Sequence, residues 1–206
     1  MIDISMDLDE NTLVWIDDPK PKLKALARIP NAPINFTWLD FGAHAGTHID
    51  APFYLFNDKW KSNEIPLELL NGDCQVLDLT EVDDMINLNH LKSKQIKSTR
   101  ILLKTKNSYD DLKTYNPKHI ALSEEAARYL VEKGVKLIGY DYQSFEREGK
   151  NVIHRIFMER DVICLDNLRL SQTEEKVYEL ILLPLKVIGI DAAPARAILK
   201  ELKYEN

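Results

Sequence analysis

The 206-residue chain is short of the residues that mark the common alternatives to an ordinary packed domain. It has only two cysteines and seven glycines, and its 27 Lys and Arg are outnumbered by 33 Asp and Glu, for a net charge of −6. Cys74 and Cys164 lie far apart, with no C-x-x-C pair, so neither a disulfide framework nor a thiolate metal site is indicated. Both sit in strand-like runs and read as small buried core residues. The acidic balance argues against nucleic acid or an anionic membrane surface as partner, because phosphate binding draws on clustered Lys and Arg. The longest apolar stretch, Leu180-Ile181-Leu182-Leu183-Pro184-Leu185, meets Lys186 well before the roughly 20 residues of a membrane span. The first ten residues are acidic where a signal peptide is basic, which predicts a cytoplasmic protein. With no repeat, low-complexity tract or Gly/Ser linker, the expectation is one domain over residues 1–206.

Short β-branched and apolar runs predict strands at Gln75–Leu79, Arg100–Lys104, Leu137–Tyr140, Val162–Leu165 and Tyr178–Val187. The clearest helix is Ser123–Lys133, with Ser123 as N-cap, Glu124 and Glu125 at the positive end of the dipole, and Gly134 at C′. A shorter helix is expected around Pro66–Leu70. Pro19, Pro21, Pro30 and Pro33 make Asp18–Ile34 an extended, irregular connection rather than a helix. Strands outnumber helices without a regular βαβ alternation, so the fold class is α/β with a mixed sheet.

Chemistry concentrates in His44-Ala45-Gly46-Thr47-His48-Ile49-Asp50-Ala51-Pro52-Phe53-Tyr54. Two histidines and a carboxylate suit a borderline divalent ion and leave positions open for water and substrate. In a straight strand His44 and His48 would stand about 13 Å apart, too far to share an ion. Gly46 and Pro52 oppose a regular helix. The segment is therefore expected to be a compact turn opened by Gly46. It is not an H-E-x-x-H zinc protease motif, since Ala45 follows the first histidine. The competing reading is a pair of loop histidines bonded to backbone.

This segment resembles the H-x-G-T-H-x-D-x-P-x-H signature of the metal-dependent cyclase family, whose best-known activity is kynurenine formamidase. Similar blocks run from Ile2-Asp3-Ile4-Ser5 through Gly139-Tyr140-Asp141 with Ser144, His154-Arg155 and Asp166-Asn167-Leu168 to Gly189-Ile190-Asp191 and Pro194-Ala195-Arg196. The resemblance implies a mixed sheet closing into a barrel-like α/β domain with surrounding helices. It implies a homodimer or homotetramer and a small-molecule substrate, with no redox cofactor. The implied reaction is metal-dependent hydrolysis of an amide-type bond, with N-formylkynurenine as the lead substrate. The ion would be Zn or Mn, held by His44, His48 and Asp50. In two-metal relatives a second ion would use Asp50 with positions matching His154 and Asp166.

Two departures stand out. Tyr54 replaces the signature's last His, and Asp166 stands where Glu is usual. A phenol titrates near pH 10 and imidazole near 6.5, so Tyr54 is a poor general base but can donate a hydrogen bond. Asp166 is one methylene shorter than Glu, so the expectation is one well-held ion and a second site weakened or absent. Tyr54 and His154 are the candidate catalytic groups. Trp15 and Phe53 are candidates for lining the substrate pocket. The departures leave open a hydrolase of a cyclic amide or lactone, or an impaired relative that binds without turnover. His90 and His119 read as solvated, and Asp141 and Asp191 as structural hydrogen-bonding groups at the ends of apolar runs.

Overall fold

The computed structural model describes residues 1–111, 113–147 and 149–202. The strands of the first half are β1 (Ile2–Asp3), β2 (Lys22–Ala27), β3 (Phe36–Asp40), β4 (His48–Asp50), β5 (Gly72–Asp78) and β6 (Met85–Ile86). Those of the second half are β7 (Arg100–Lys104), β8 (Ala121–Leu122), β9 (Leu137–Tyr140), β10 (Ile163–Asp166), β11 (Val177–Pro184) and β12 (Ala192–Glu201). Among the described residues four α-helices accompany them: α1 (Leu67–Leu70), α2 (Leu88–Lys92), α3 (Glu124–Glu132) and α4 (Val152–Met158).

Seven strands close on themselves in the order β12-β11-β5-β7-β9-β10-β4, with β4 returning to β12 and β1 added beside β12. The pairs β5–β7, β7–β9 and β9–β10 are parallel, while β4, β11 and β12 run antiparallel to their neighbours. The mixed sheet expected from the residues, closed into the barrel that the resemblance implies, is the architecture found. Period-two alternation divides each strand between two apolar layers. Ile49, Val76, Leu102, Ile163, Leu165 and Leu180 point into the barrel. Leu77, Ile101, Leu103, Ile138 and Cys164 point outward and pack beneath residues of α2, α3 and α4. Gly139 lies on the inward side, where an added Cβ would come within 2.3 Å of Leu102 and 2.8 Å of Leu168. At that point of the barrel there is room only for a hydrogen.

Helix α3 forms as its sequence dictates. The Ser123 hydroxyl accepts from the Ala126 N–H at 3.2 Å, Ala126, Ala127 and Leu130 face the core, and Gly134 takes a φ of +78° after the last turn. Both cysteines are buried and free. No helix among the described residues is long and apolar enough to cross a membrane.

Three expectations need correction. The stretch Asp18–Ile34 contains β2, which pairs with β3 as an antiparallel hairpin carrying a bulge between Ala25 and Ala27. The prolines flank this strand instead of preventing it. Strand β11 ends at Pro184 rather than Val187. His119 is not solvated but 1% exposed, with its ring stacked on Tyr142 at a centroid distance of 4.2 Å.

Candidate metal centre

Strand β4 positions the site through its pleat. Ile49 enters the barrel, so His48 and Asp50 must project from the outer face, into the space beneath α4. Across the antiparallel pair, His48 is directly opposite Asp166 and Asp50 opposite Cys164. This register brings Asp166 to the same face as His48 and Asp50. His44 arrives from the preceding turn. Gly46 makes that turn possible with a φ of +68°, and its carbonyl accepts from His48 Nδ1 at 2.8 Å and from the Asn167 side chain at 2.9 Å. Thr47 fastens the turn further, accepting from the Met6 N–H and donating to the Asn167 carbonyl.

Hydrogen bonds on the far side of each ring decide which nitrogen faces the site. A carbonyl only accepts, so His48 Nδ1 carries the proton and Nε2 presents a lone pair. His44 Nε2 lies 2.8 Å from the Asp191 carboxylate, which leaves Nδ1 directed inward. Those two inward nitrogens are 3.3 Å apart, and Asp50 Oδ1 lies 2.9 Å from His44 Nδ1 and 3.2 Å from His48 Nε2. Asp50 Oδ1 is buried and receives no hydrogen bond. Ligands about 2.0–2.1 Å from a tetrahedral ion stand about 3.3 Å from one another, close to this triangle. With both imidazoles neutral, three acceptors converge with no donor between them, an arrangement relieved by a proton on His44 or by a cation among them. The donor set therefore fits a divalent ion, and the outward bonds from His44 and His48 are the kind that orient ligating imidazoles.

A second set shares Asp50. His154, on α4, places Nε2 3.7 Å from Asp50 Oδ2 and 3.5 Å from Asp166 Oδ2, and all three residues are buried. Asp166 Oδ1 also lacks a hydrogen-bond partner. Asp166 thus reaches the cluster although it is a methylene shorter than Glu, because the strand register delivers it there. Glu146 completes the arrangement, with a carboxylate oxygen 3.4 Å from His154 Nδ1. The same carboxylate accepts from the N–H groups of Val152 and Ile153 at 2.9 and 3.2 Å, capping α4.

The electrostatics express a shortage of positive charge. Burial opposes charging His44, but the Asp50 and Asp191 carboxylates outweigh it and push its pKa up to about 11. For His154, burial is likewise overcome by Asp166, Glu146 and Asp50, which raise its pKa to about 10. Burial would hold the Asp50 proton, yet His44 and His48 together drive its pKa well below the carboxylate range. Asp166 shifts upward, through burial and through the nearby Asp50 charge. Protein groups alone thus draw protons to both histidines. A cation bound there would take the place of that charge.

Above both sets is a cavity of about 270 Å³ with Trp15, Asp18, Tyr54, Gln143, Ser144 and Asn151 among its walls. Tyr54 follows the strand in a short 3-10 turn, Pro52–Tyr54, and its ring lies 4.9 Å from that of His44 and 6.4 Å from that of His154. Burial first and Asp50 second raise the Tyr54 pKa, so the phenol keeps its proton, and its hydroxyl bonds with Asn151. Trp15 lines the cavity, braced edge-on against Tyr115. Phe53 is not among the residues around this cavity. Successive residues of a 3-10 turn point about 120° apart, and the Phe53 ring instead lies 5.4 Å beneath the Lys61 ammonium.

The chain matches the family model for putative cyclases over residues 2–147. It belongs to the cyclase family. Among curated relatives of this cyclase, kynurenine formamidase of Bordetella petrii is 33% identical over 182 residues, covering 84% of each chain. Kynurenine formamidase of Salinibacter ruber is 28% identical over 206 residues, covering 98% of this chain and 97% of that one. A solved structure described as a predicted metal-dependent hydrolase from Bacillus stearothermophilus superposes with a TM-score of 0.84 at 33% identity, covering 96% of both chains. Isatin hydrolase A from Labrenzia aggregata shares the fold, with a TM-score of 0.84 at 20% identity over 95% of this cyclase and 91% of that chain.

Sequence reasoning missed two supports of this cyclase site. Glu146 carries no sequence signal as a cap, because it stands six residues before the start of α4 and capping rules look to adjacent residues. Asp191 was read as a structural hydrogen-bonding group, and its partner proves to be the ligand candidate His44.

Proposed function

We propose that this cyclase is a metal-dependent amide hydrolase that converts N-formylkynurenine to kynurenine and formate. The observation that carries the reading is the convergence of His44 Nδ1, His48 Nε2 and Asp50 Oδ1 within 3.3 Å of one another at the floor of the cavity. The substrate follows from the formamidase relatives that match over most of the chain. The likeness to isatin hydrolases is one of fold, so the formamide is favoured over a cyclic amide.

Zinc or manganese suits two imidazoles and a carboxylate. When bound, such an ion polarises a carbonyl oxygen and lowers the pKa of water toward 7. His44, His48 and Asp50 would hold it, with Asp191 and the Gly46 carbonyl fixing the two rings. Asp50, His154 and Asp166 form a wider set, suited to a second, weaker ion. Without that ion, His154 keeps a proton at Nε2 between two carboxylates. Tyr54 offers its hydroxyl proton toward the cavity, where the departing arylamine needs one. Trp15 supplies an apolar face for an aromatic ring.

The test uses protein stripped by chelator and reloaded with zinc or manganese, with release of kynurenine and formate as readout. Turnover should be absent in the stripped protein and return with one of the two ions. Stoichiometric metal without hydrolysis of N-formylkynurenine would reject the substrate. No tight metal binding would reject the hydrolase reading itself.

A further inference from the structure

Helix α4 begins on an asparagine that does not cap it. Asn is among the favoured N-cap residues because its side-chain oxygen can accept from the first free N–H groups of a helix. Asn151 sits at that position with φ 55° and ψ 28°, in the left-handed region, and its side chain makes no capping bond. Its carbonyl accepts the first helical bond, from the Arg155 N–H at 2.9 Å. The N–H groups of Val152 and Ile153 are taken instead by Glu146, the carboxylate that also braces His154. The Asn151 side chain is therefore surplus to the helix. Asn enters the left-handed region more readily than most residues, and in that conformation Asn151 forms part of the cavity wall together with Tyr54. The chain just before it is fixed by packing, since Gly149, at φ +63°, comes so close to Trp15 that an added Cβ would stand 3.0 Å from the ring.

We propose that Asn151 is a positioning residue, whose amide N–H holds the Tyr54 oxygen so that the phenol's own proton is directed at the bond being broken. The Asn151 side chain donates to the Tyr54 hydroxyl. A tyrosine hydroxyl both donates and accepts, so an oxygen already accepting on one side keeps its proton for a partner on another, and the open side of Tyr54 is the cavity. The donated N–H also steadies the negative charge that grows on the oxygen as the proton leaves. Tyr54 ends the 3-10 turn that follows β4, and Asn151 starts α4. Their bond thus joins the two parts of the chain that carry the two ligand sets.

The step served by this contact rests on the amide-hydrolase reading above, whereas the contact itself does not. As the C–N bond breaks, its electron pair goes to the nitrogen and the Tyr54 proton follows. Water then returns a proton to the phenolate.

The experiment reads the contact and the step separately. The full chain is labelled with carbon-13 at tyrosine Cζ, the Tyr54 signal is identified by its absence in Y54F, and the wild type is compared by NMR with N151G and N151D. Gly and Asp both accept a positive φ, and neither can donate a side-chain N–H. The Tyr54 signal should move further in both variants than that of any other of the eight tyrosines. In protein loaded with zinc or manganese, N151G should lower kcat for N-formylkynurenine by about 10²-fold, with KM within about twofold and metal content unchanged. In the Y54F background the same substitution should cost less than about twofold, since the group it serves is gone. N151D should fall at least as far as N151G, because a carboxylate draws the phenol proton away from the cavity. An unmoved Tyr54 signal overturns the inference, as does wild-type kcat in N151G and N151D or an undiminished loss in the Y54F background. A moved signal in protein that turns over no N-formylkynurenine rejects the substrate and upholds the contact, so the two failures are told apart.

Discussion

Two candidate ligand sets share Asp50 and differ in how firmly they are built. In the first, donor atoms lie 2.9–3.3 Å apart, and a second hydrogen bond from each imidazole fixes its ring. In the second, His154 Nε2 stands 3.5 and 3.7 Å from the two carboxylates and the ring is braced by Glu146 across 3.4 Å. The first set draws on a turn and the strand that follows it, with both histidines within five residues. The second joins a strand to a helix, and its geometry depends on how α4 rests on the sheet. Proximity in the chain gives precision here, and tertiary packing gives a looser arrangement.

The comparison breaks most completely at the shared residue. Asp50→Asn should empty both sets and cost more than about 10³-fold in kcat/KM, as expected when several kcal/mol of electrostatic stabilisation are lost. Metal content by mass spectrometry and turnover would both register it. His44→Ala and His154→Ala separate the two sets. The first should abolish stoichiometric metal, whereas the second should leave about one ion per chain while lowering kcat, and equal metal loss in both would show the sets to be equivalent. Asp191→Asn keeps every ligand but removes the charge that orients His44, and should weaken metal affinity about 10- to 100-fold in a competition titration. Tyr54→Phe should lower kcat by about 10²-fold, the lower range for a positioned proton donor, with metal content unchanged. The smallest effect belongs to Phe53→Leu, within about twofold in kcat/KM, because that ring lies outside the cavity and hydrophobic swaps of this kind are well tolerated.

The residues that local rules govern were legible. Ser123 and Gly134 bracket α3 because capping is a property of a few adjacent residues, and the runs at Arg100–Lys104 and Leu137–Tyr140 form strands with the expected bounds. The His44–Tyr54 segment pointed to the convergence of His44, His48 and Asp50 and to the turn at Gly46. Helix α4 was missed because Val152, Ile153 and Ile156 are β-branched, and its cap comes from Glu146 rather than an adjacent residue. Strand β12 was missed because Ala-Ala-Pro-Ala-Arg-Ala suggests anything but a strand. Pro194 is tolerated where pairing passes from β4 to β11, since there the strand changes partner. Tertiary register, invisible in one sequence, brought Asp166 to His48.

The alternation of His48, Ile49 and Asp50 also bears on how the chain finds its fold. A slip of β4 by one residue would turn both ligands into the apolar barrel and Ile49 out of it. Only the correct alignment of β4 between β10 and β12 presents a site that an ion can recognise, so binding selects that alignment from its neighbours. At a free-ion concentration 100 times the dissociation constant, this selection adds about 2.7 kcal/mol to the native state. The ion would then act as a proofreader of strand register before it takes part in any reaction.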